Sequence, residues 1–228
     1  MKIGMIVAIV DEMKQLLNEY GSEMTEIKKN GYTVYKSNLK GHEVFAVRSG
    51  AGEIGVAAVA QLLITAFDVD LIVNYGVVGG LIPEMGVTET VVVKDVVHYD
   101  YDTSDYDQVP VGRYMEFDDI HVPTTQKYVE LALKSHPELR AVSCASGDKF
   151  VEPAEKKREL HEKFNCEICE MEAAGIVLTA TRNGVDTLLI KSVSDSVDGG
   201  MEEFAQMVER SAKLCMEVLI SVLESVEA

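Results

Sequence analysis

Lys2-Ile-Gly-Met-Ile-Val-Ala-Ile-Val-Asp-Glu12 opens the chain and decides its class. The stretch to Val10 is apolar without polar alternation, which is the mark of a strand buried on both faces. It runs straight into a helix expected from Asp11 to about Tyr20. The same grammar recurs downstream. Asp70–Tyr75 is a second apolar strand, ending at Gly76, and Thr90–Val97, Leu139–Ala145 and Thr187–Val193 are further strands. Helices are expected over Ile54–Phe67, Thr124–Ser135, Pro153–Phe164 (a charged surface helix), Glu172–Asn183 and Met201–Val226, with Pro153 near a first turn and Gly184 at a stop. Met24–Ser49 reads as a meander turned at Asn30-Gly31 and Lys40-Gly41. Strands alternating with helices, several of them buried on both sides, predict an α/β sheet covered by helices.

Composition bounds the function. The chain has 228 residues and a formal charge of −17. That charge argues against a nucleic-acid binder, which needs a basic face, and against an anionic membrane as partner. A small anionic ligand held by a local group remains allowed. No run of about 18 apolar residues exists, so no membrane span is expected. The apolar start carries one Lys and ends in Asp11-Glu12 rather than a small-residue cleavage site, so no signal peptide is expected. Four cysteines are too few for a disulfide scaffold, which makes a reduced, cytoplasmic protein the default. No repeat or Pro/Ser-rich linker divides the chain, and one domain over residues 1–228 is the simplest organisation.

In such sheets ligands sit beyond the strand C-terminal ends. Those ends are Asp11-Glu12, Ser49–Gly52, Gly76–Gly80, Ser146–Val151, Glu170–Glu172 and Ser194-Asp195, rich in Gly, Ser and acid. Gly50-Ala-Gly-Glu-Ile-Gly55 matches the dinucleotide fingerprint GxGxxG, but the following strand ends in Asn74-Tyr75-Gly76 instead of the required acid. A close backbone approach to another ligand fits better. Cys166-Glu-Ile-Cys169 lacks the second pair of a zinc ribbon and reads as structural. His98, Asp100 and Asp102 would share one face of an extended segment, yet a single His offers a poor metal site. Glu12, Glu172 and Asp195 follow apolar strands; they read either as helix caps or as acid/base groups.

Seven segments in order are similar to the 5′-methylthioadenosine/S-adenosylhomocysteine nucleosidases, a family of the nucleoside phosphorylase superfamily. They are the MKIGMIVAIVDEM start, Ser49–Gly52, Asn74–Leu81, Tyr99–Thr103, Ser146–Val151, Glu170–Ala173 and Ser194-Asp195. The resemblance implies three α/β/α layers around a twisted mixed sheet, usually a homodimer, and hydrolysis of a purine–ribose N-glycosidic bond. No metal and no cofactor is expected. By this resemblance Glu12 activates water, and Asp195, supported by Ser194, donates a proton to N7 of adenine. Met171 and Glu172 match the ribose-holding residues, Phe150 the ring that stacks on the base, and the Val151 backbone the group that reads its edge. The chemistry suits these residue types: an oxocarbenium-like transition state favours nearby carboxylates, and the departing base needs an acid kept protonated by burial.

The chain also departs from the family. Val77 stands where a Ser is usual, Lys191 where an Arg is frequent, Ala51 where a larger aliphatic is usual, and Met201 where an aromatic often lines the 5′-alkylthio pocket. Each is carried as a substrate-binding candidate. The segment before Gly76 has no arginine for phosphate, and Glu12 would repel it. Hydrolysis is therefore expected over phosphorolysis; the alternatives are a purine nucleoside phosphorylase and a nucleoside-binding protein with weakened turnover.

Overall fold

The computed structural model describes residues 1–227. In chain order the elements are β1 (Lys2–Val7), α1 (Val10–Tyr20), a 3-10 turn, β2 (Thr25–Lys29), β3 (Tyr32–Leu39), β4 (His42–Arg48), α2 (Glu53–Phe67), β5 (Leu71–Gly80) and β6 (Thr90–His98). There follow α3 (Ser104–Asp107), β7 (Val122–Pro123), α4 (Gln126–Ser135), β8 (Arg140–Ser146), α5 (Ala154–Phe164), β9 (Ile168–Glu170), α6 (Ala173–Asn183), β10 (Asp186–Asp195) and α7 (Met201–Leu223).

The ten strands form one mixed sheet in the order β10-β6-β8-β9-β5-β1-β4-β3-β2, with β7 beside β6. β10 pairs with both β6 and β5, so one half of the sheet closes on itself while β1 to β4 extend as an open wing. β1, β4, β5 and β10 are parallel, and β2, β3 and β4 form the antiparallel meander.

Period-2 alternation explains the layers. In β1, Ile3, Met5 and Val7 face a core shared with α1, α4 and α7, whereas Ile6 faces α2 and α6. Leu71, Val73 and Tyr75 of β5 repeat the first pattern and Ile72 the second. The strands are sandwiched between two helical layers, so their sequences are continuously apolar. α2 and α6 pack closely because Gly175 lies where a Cβ would meet the Glu53 carbonyl at 2.7 Å.

Three expectations are corrected. The first strand stops at Val7, because Glu12 caps the helix that starts at Val10. The second does not end at Gly76 but continues to Gly80, pairing there with β9 and β10, so the glycine-rich segment is strand and not loop. His98, Asp100 and Asp102 do not share a face, since the chain turns after His98. Asp100 binds His98 at 3.0 Å, and Asp102 instead caps Ser104. Among the described residues no helix is long and apolar enough to cross a membrane, and no cluster of three His, Cys, Asp or Glu could hold a metal ion.

Candidate active site

The C-terminal ends of β1, β5, β9 and β10 converge on a cleft. Its wall holds Glu12, Ala51, Val77, Phe150, Val151, Met171, Glu172, Ser194 and Asp195. Nine of the eleven residues singled out in the sequence are thus brought together.

Glu12 is both a helix cap and a cavity group. It sits in the first turn of α1, and its Oε2 accepts from the Ala8 and Ile9 backbone N–H groups, each at 3.0 Å. Oε1 accepts from the Val77 N–H at 2.9 Å. The Val77 contact is made by backbone, so the missing Ser hydroxyl does not remove it. Gly76 makes room: a Cβ there would lie 2.7 Å from Glu12 Oε1. Burial pushes the Glu12 carboxyl above its ordinary range, and the Ile9, Val77 and Ala8 N–H bonds oppose this without cancelling it.

Across the cleft, Ser194 Oγ lies 2.8 Å from Asp195 Oδ1 and donates to it. Asp195 Oδ2 meets the Lys157 ammonium at 2.5 Å. Both partners are buried, with side-chain exposures of 0% and 3%. Asp195 thus has a buried cation at contact distance, a partner that sequence reasoning did not anticipate. This corrects the reading of Pro153–Phe164 as wholly surface: α5 turns Lys157 inward.

Beneath the Glu172 side of the cleft lies a carboxyl cluster. Glu172 Oε1 accepts from the Gly52 N–H at 3.0 Å, made possible by Gly52 at φ +105°. Burial and then the neighbouring Glu170 charge raise the Glu172 carboxyl to about 8. Glu53 is raised to about 8 by the same two causes, and receives hydrogen bonds from Ser146 Oγ and the Gly175 N–H, each at 2.5 Å. Glu170 is the ionised member. Burial would raise it, but the Lys191 charge and its hydrogen bonds outweigh that and hold it below the usual range.

Two candidates fall outside the wall. Lys191 is 1% exposed, and its Nζ is bound to Glu170 at 2.9 Å, so it acts beneath the site and cannot contact a ligand as expected. Burial alone would lower its ammonium; the Glu170 and Glu172 charges reverse the sign. Met201 begins α7 and is half exposed, while one turn on Phe204 reaches the wall and meets Phe150 edge-on at 5.5 Å. At the start of α7 it is thus Phe204, and not Met201, that lines the cleft.

Sequence reasoning placed Lys149 and Glu170 in strand-end segments without a role and read Cys169 as structural, though all three line the cleft, and it passed over Ile9 on the wall and Lys157 and Glu53, which support it. Lys157 was legible in principle. Lys157, Leu160 and Phe164 fall on one helical face, and that face is inward. All four cysteines are buried and free, in keeping with a structural Cys166–Cys169 pair.

A family model for the phosphorylase superfamily matches residues 2–224. The chain belongs to that superfamily. Its similarities run end to end with nucleosidases. An aminodeoxyfutalosine nucleosidase of Helicobacter pylori strain J99 is 28% identical over 98% of each chain. A 5′-methylthioadenosine/S-adenosylhomocysteine nucleosidase of Hydrogenovibrio crunogenus is 30% identical, covering 96% of this chain and 98% of its own. The solved structure of the Helicobacter pylori 5′-methylthioadenosine/S-adenosylhomocysteine nucleosidase, complexed with a substituted pyrrolidinol, superposes with a TM-score of 0.93 at 27% identity, covering 99% of this chain and 98% of that one. The superfamily member described here is accordingly an N-glycosidic hydrolase, with an α/β architecture shared with those enzymes.

Proposed function

We propose that this enzyme hydrolyses the N-glycosidic bond of adenine nucleosides bearing a 5′-thioether, such as 5′-methylthioadenosine and S-adenosylhomocysteine, and releases adenine. Glu12 takes a proton from the attacking water. Asp195, held by Ser194, passes a proton to N7 of the leaving base. Met171 and the raised carboxyl of Glu172 hold the ribose hydroxyls, Phe150 stacks on the base and the Val151 backbone reads its edge. Ala51, Ile9 and Phe204 supply an apolar wall for the 5′ group.

One observation carries the choice of water as nucleophile. Among the described residues the cleft is lined by four carboxyl groups (Glu12, Glu170, Glu172 and Asp195), and its single cationic wall residue is Lys149. Glu12 occupies the backbone N–H groups at the β1 end that an anion would need. A phosphate dianion would meet like charge there, whereas an oxocarbenium-like ribose meets opposite charge.

We also propose that the chain works as a homodimer; Ile54, Tyr106 and Met115 are exposed apolar side chains available to a partner, and sedimentation velocity measures the assembly. The activity test is adenine release from methylthioadenosine, adenosylhomocysteine and aminodeoxyfutalosine, in phosphate-free buffer and again with phosphate. Release without phosphate supports the reading. Release that requires phosphate replaces it with phosphorolysis, and no release from any of the three removes this substrate class. The ratio of the three rates reports what the small Ala51 admits at the 5′ end.

A further inference from the structure

The buried partner of Asp195 is not an incidental ion pair. Lys157 is fully buried at the first turn of α5, between exposed charged neighbours. Its three N–H bonds are all used: Asp195 Oδ2 at 2.5 Å, the Ser196 carbonyl at 2.7 Å and the Gly199 carbonyl at 3.2 Å. Three acceptors around one nitrogen match an ammonium, since a neutral amine has only two N–H bonds to offer. Gly79 lets the pair approach the strand, for a Cβ there would lie 3.2 Å from Asp195 Oδ2 and 3.5 Å from Lys157 Cε. The segment Lys157 grips, Ser196–Gly199, joins β10 to α7 and so also sets where Phe204 stands. Glu203 fixes the same segment through the Ser196 N–H at 2.6 Å.

We infer that Lys157 is a positioning residue that acts through Asp195: it holds that carboxylate ionised and fixed, and it stores the proton that Asp195 hands to the leaving base. This rests on the hydrolytic reading above. At rest the pair carries one transferable proton, on Lys157 Nζ. As the C1′–N9 bond breaks, its electron pair moves into the purine, and N7 becomes basic. A proton then passes from Lys157 to Asp195 and from Asp195 to N7. Glu12 meanwhile takes a proton from the water whose oxygen bonds to C1′. When products leave, the proton on Glu12 returns through solvent to Lys157, so the cycle balances without a further reactant. The resting carboxylate is thereby complementary to a base already protonated at N7, and binds that species better than the neutral nucleoside.

The test has an arm that needs no turnover. In the wild-type protein at neutral pH, the infrared difference spectrum against Asp195→Asn isolates the Asp195 carboxyl stretch. An ionised carboxylate band is expected, and a protonated carboxyl band overturns the inference. The kinetic arm compares Lys157→Met, Asp195→Asn and the double variant. Lys157→Met is expected to lower kcat at least 30-fold with KM changed less than threefold. Its alkaline limb should move to lower pH, because the proton then rests on a carboxyl. The other ionisable groups facing Asp195 are the Cys169 thiol from β9 and Glu12 across the cleft, both unchanged by this variant. The double variant is expected to be no slower than Asp195→Asn alone, since both changes remove one unit. Wild-type kcat and pH profile in a folded Lys157→Met, or losses that multiply in the double variant, refute the coupling. If Lys157→Met does not fold, the infrared band decides. Absence of base release by the wild type would strike the proposed function and leave that band to judge this inference.

Discussion

Glu12→Gln is the substitution whose consequence the geometry specifies most closely. The carboxylate accepts three backbone N–H bonds, two on Oε2 and one on Oε1. A glutamine keeps the most bonds by placing its oxygen toward Ala8 and Ile9, which leaves its amide N–H groups against the Val77 N–H. One hydrogen bond is lost and two donors face each other, at a cost of roughly 1–3 kcal/mol. Removing a buried charge offsets part of that penalty, so the fold is expected to survive with a modest loss of stability. The chemistry is not offset. An amide cannot take a proton from water, and loss of a general base lowers kcat by about 10²–10⁴, or roughly 3–5 kcal/mol in the barrier. The assay pairs adenine release by absorbance with calorimetric binding of the same nucleoside. The expected result is turnover below 1% of wild type with affinity within about threefold. In the wild type the acidic limb should lie above the ordinary carboxylate range, since burial raises Glu12 and activity is lost as pH falls through its folded-state value. A variant that binds normally and keeps more than about 10% of turnover would remove Glu12 from the water-activating role.

Three further outcomes follow from the same contacts. Glu53 keeps its proton in the native state to about 8 while the unfolded chain ionises near 4.5, so stability is full below 4.5, falls as pH rises through that window and levels off beyond it. Glu53→Gln should flatten this fall, gaining on the order of 3 kcal/mol relative to wild type at pH 8–9 compared with pH 5 in urea melts; parallel curves would exclude the burial of a protonated Glu53. Gly76→Ala drives a methyl onto Glu12 Oε1 and should lower kcat about 100-fold, while changing circular dichroism little; unaltered kcat would mean Glu12 need not hold its place. Phe204→Ala should raise KM for methylthioadenosine roughly tenfold, a loss of about 1.4 kcal/mol of apolar contact, and Met201→Ala should leave it unchanged. Equal effects at the two positions would contradict the placement of Phe204 on the wall.

The sequence by itself determined the layers and the neighbourhood of the site. Ile3, Met5 and Val7 alternate with Ile6 inside one apolar run, and only a strand covered on both sides accommodates that. Acids that follow such strands, above all Glu12, Glu172 and Asp195, announce a pocket because local spacing places them at the same edge. Contacts between elements distant in the chain were not encoded in any local pattern. Lys157 and Asp195 are 38 residues apart, and Glu53 and Gly175 are 122 apart. Only the packing of α5 and α6 against the sheet makes them neighbours. Tertiary structure also decided which polar residues face the cleft: Lys191 lies beneath it, drawn to Glu170, and the first turn of α7 presents Phe204 in place of Met201. The physical reason is one of range. Helix and strand periodicity fixes which face a residue occupies, but the charge state of a buried group depends on whatever the rest of the chain brings within a few ångströms of it.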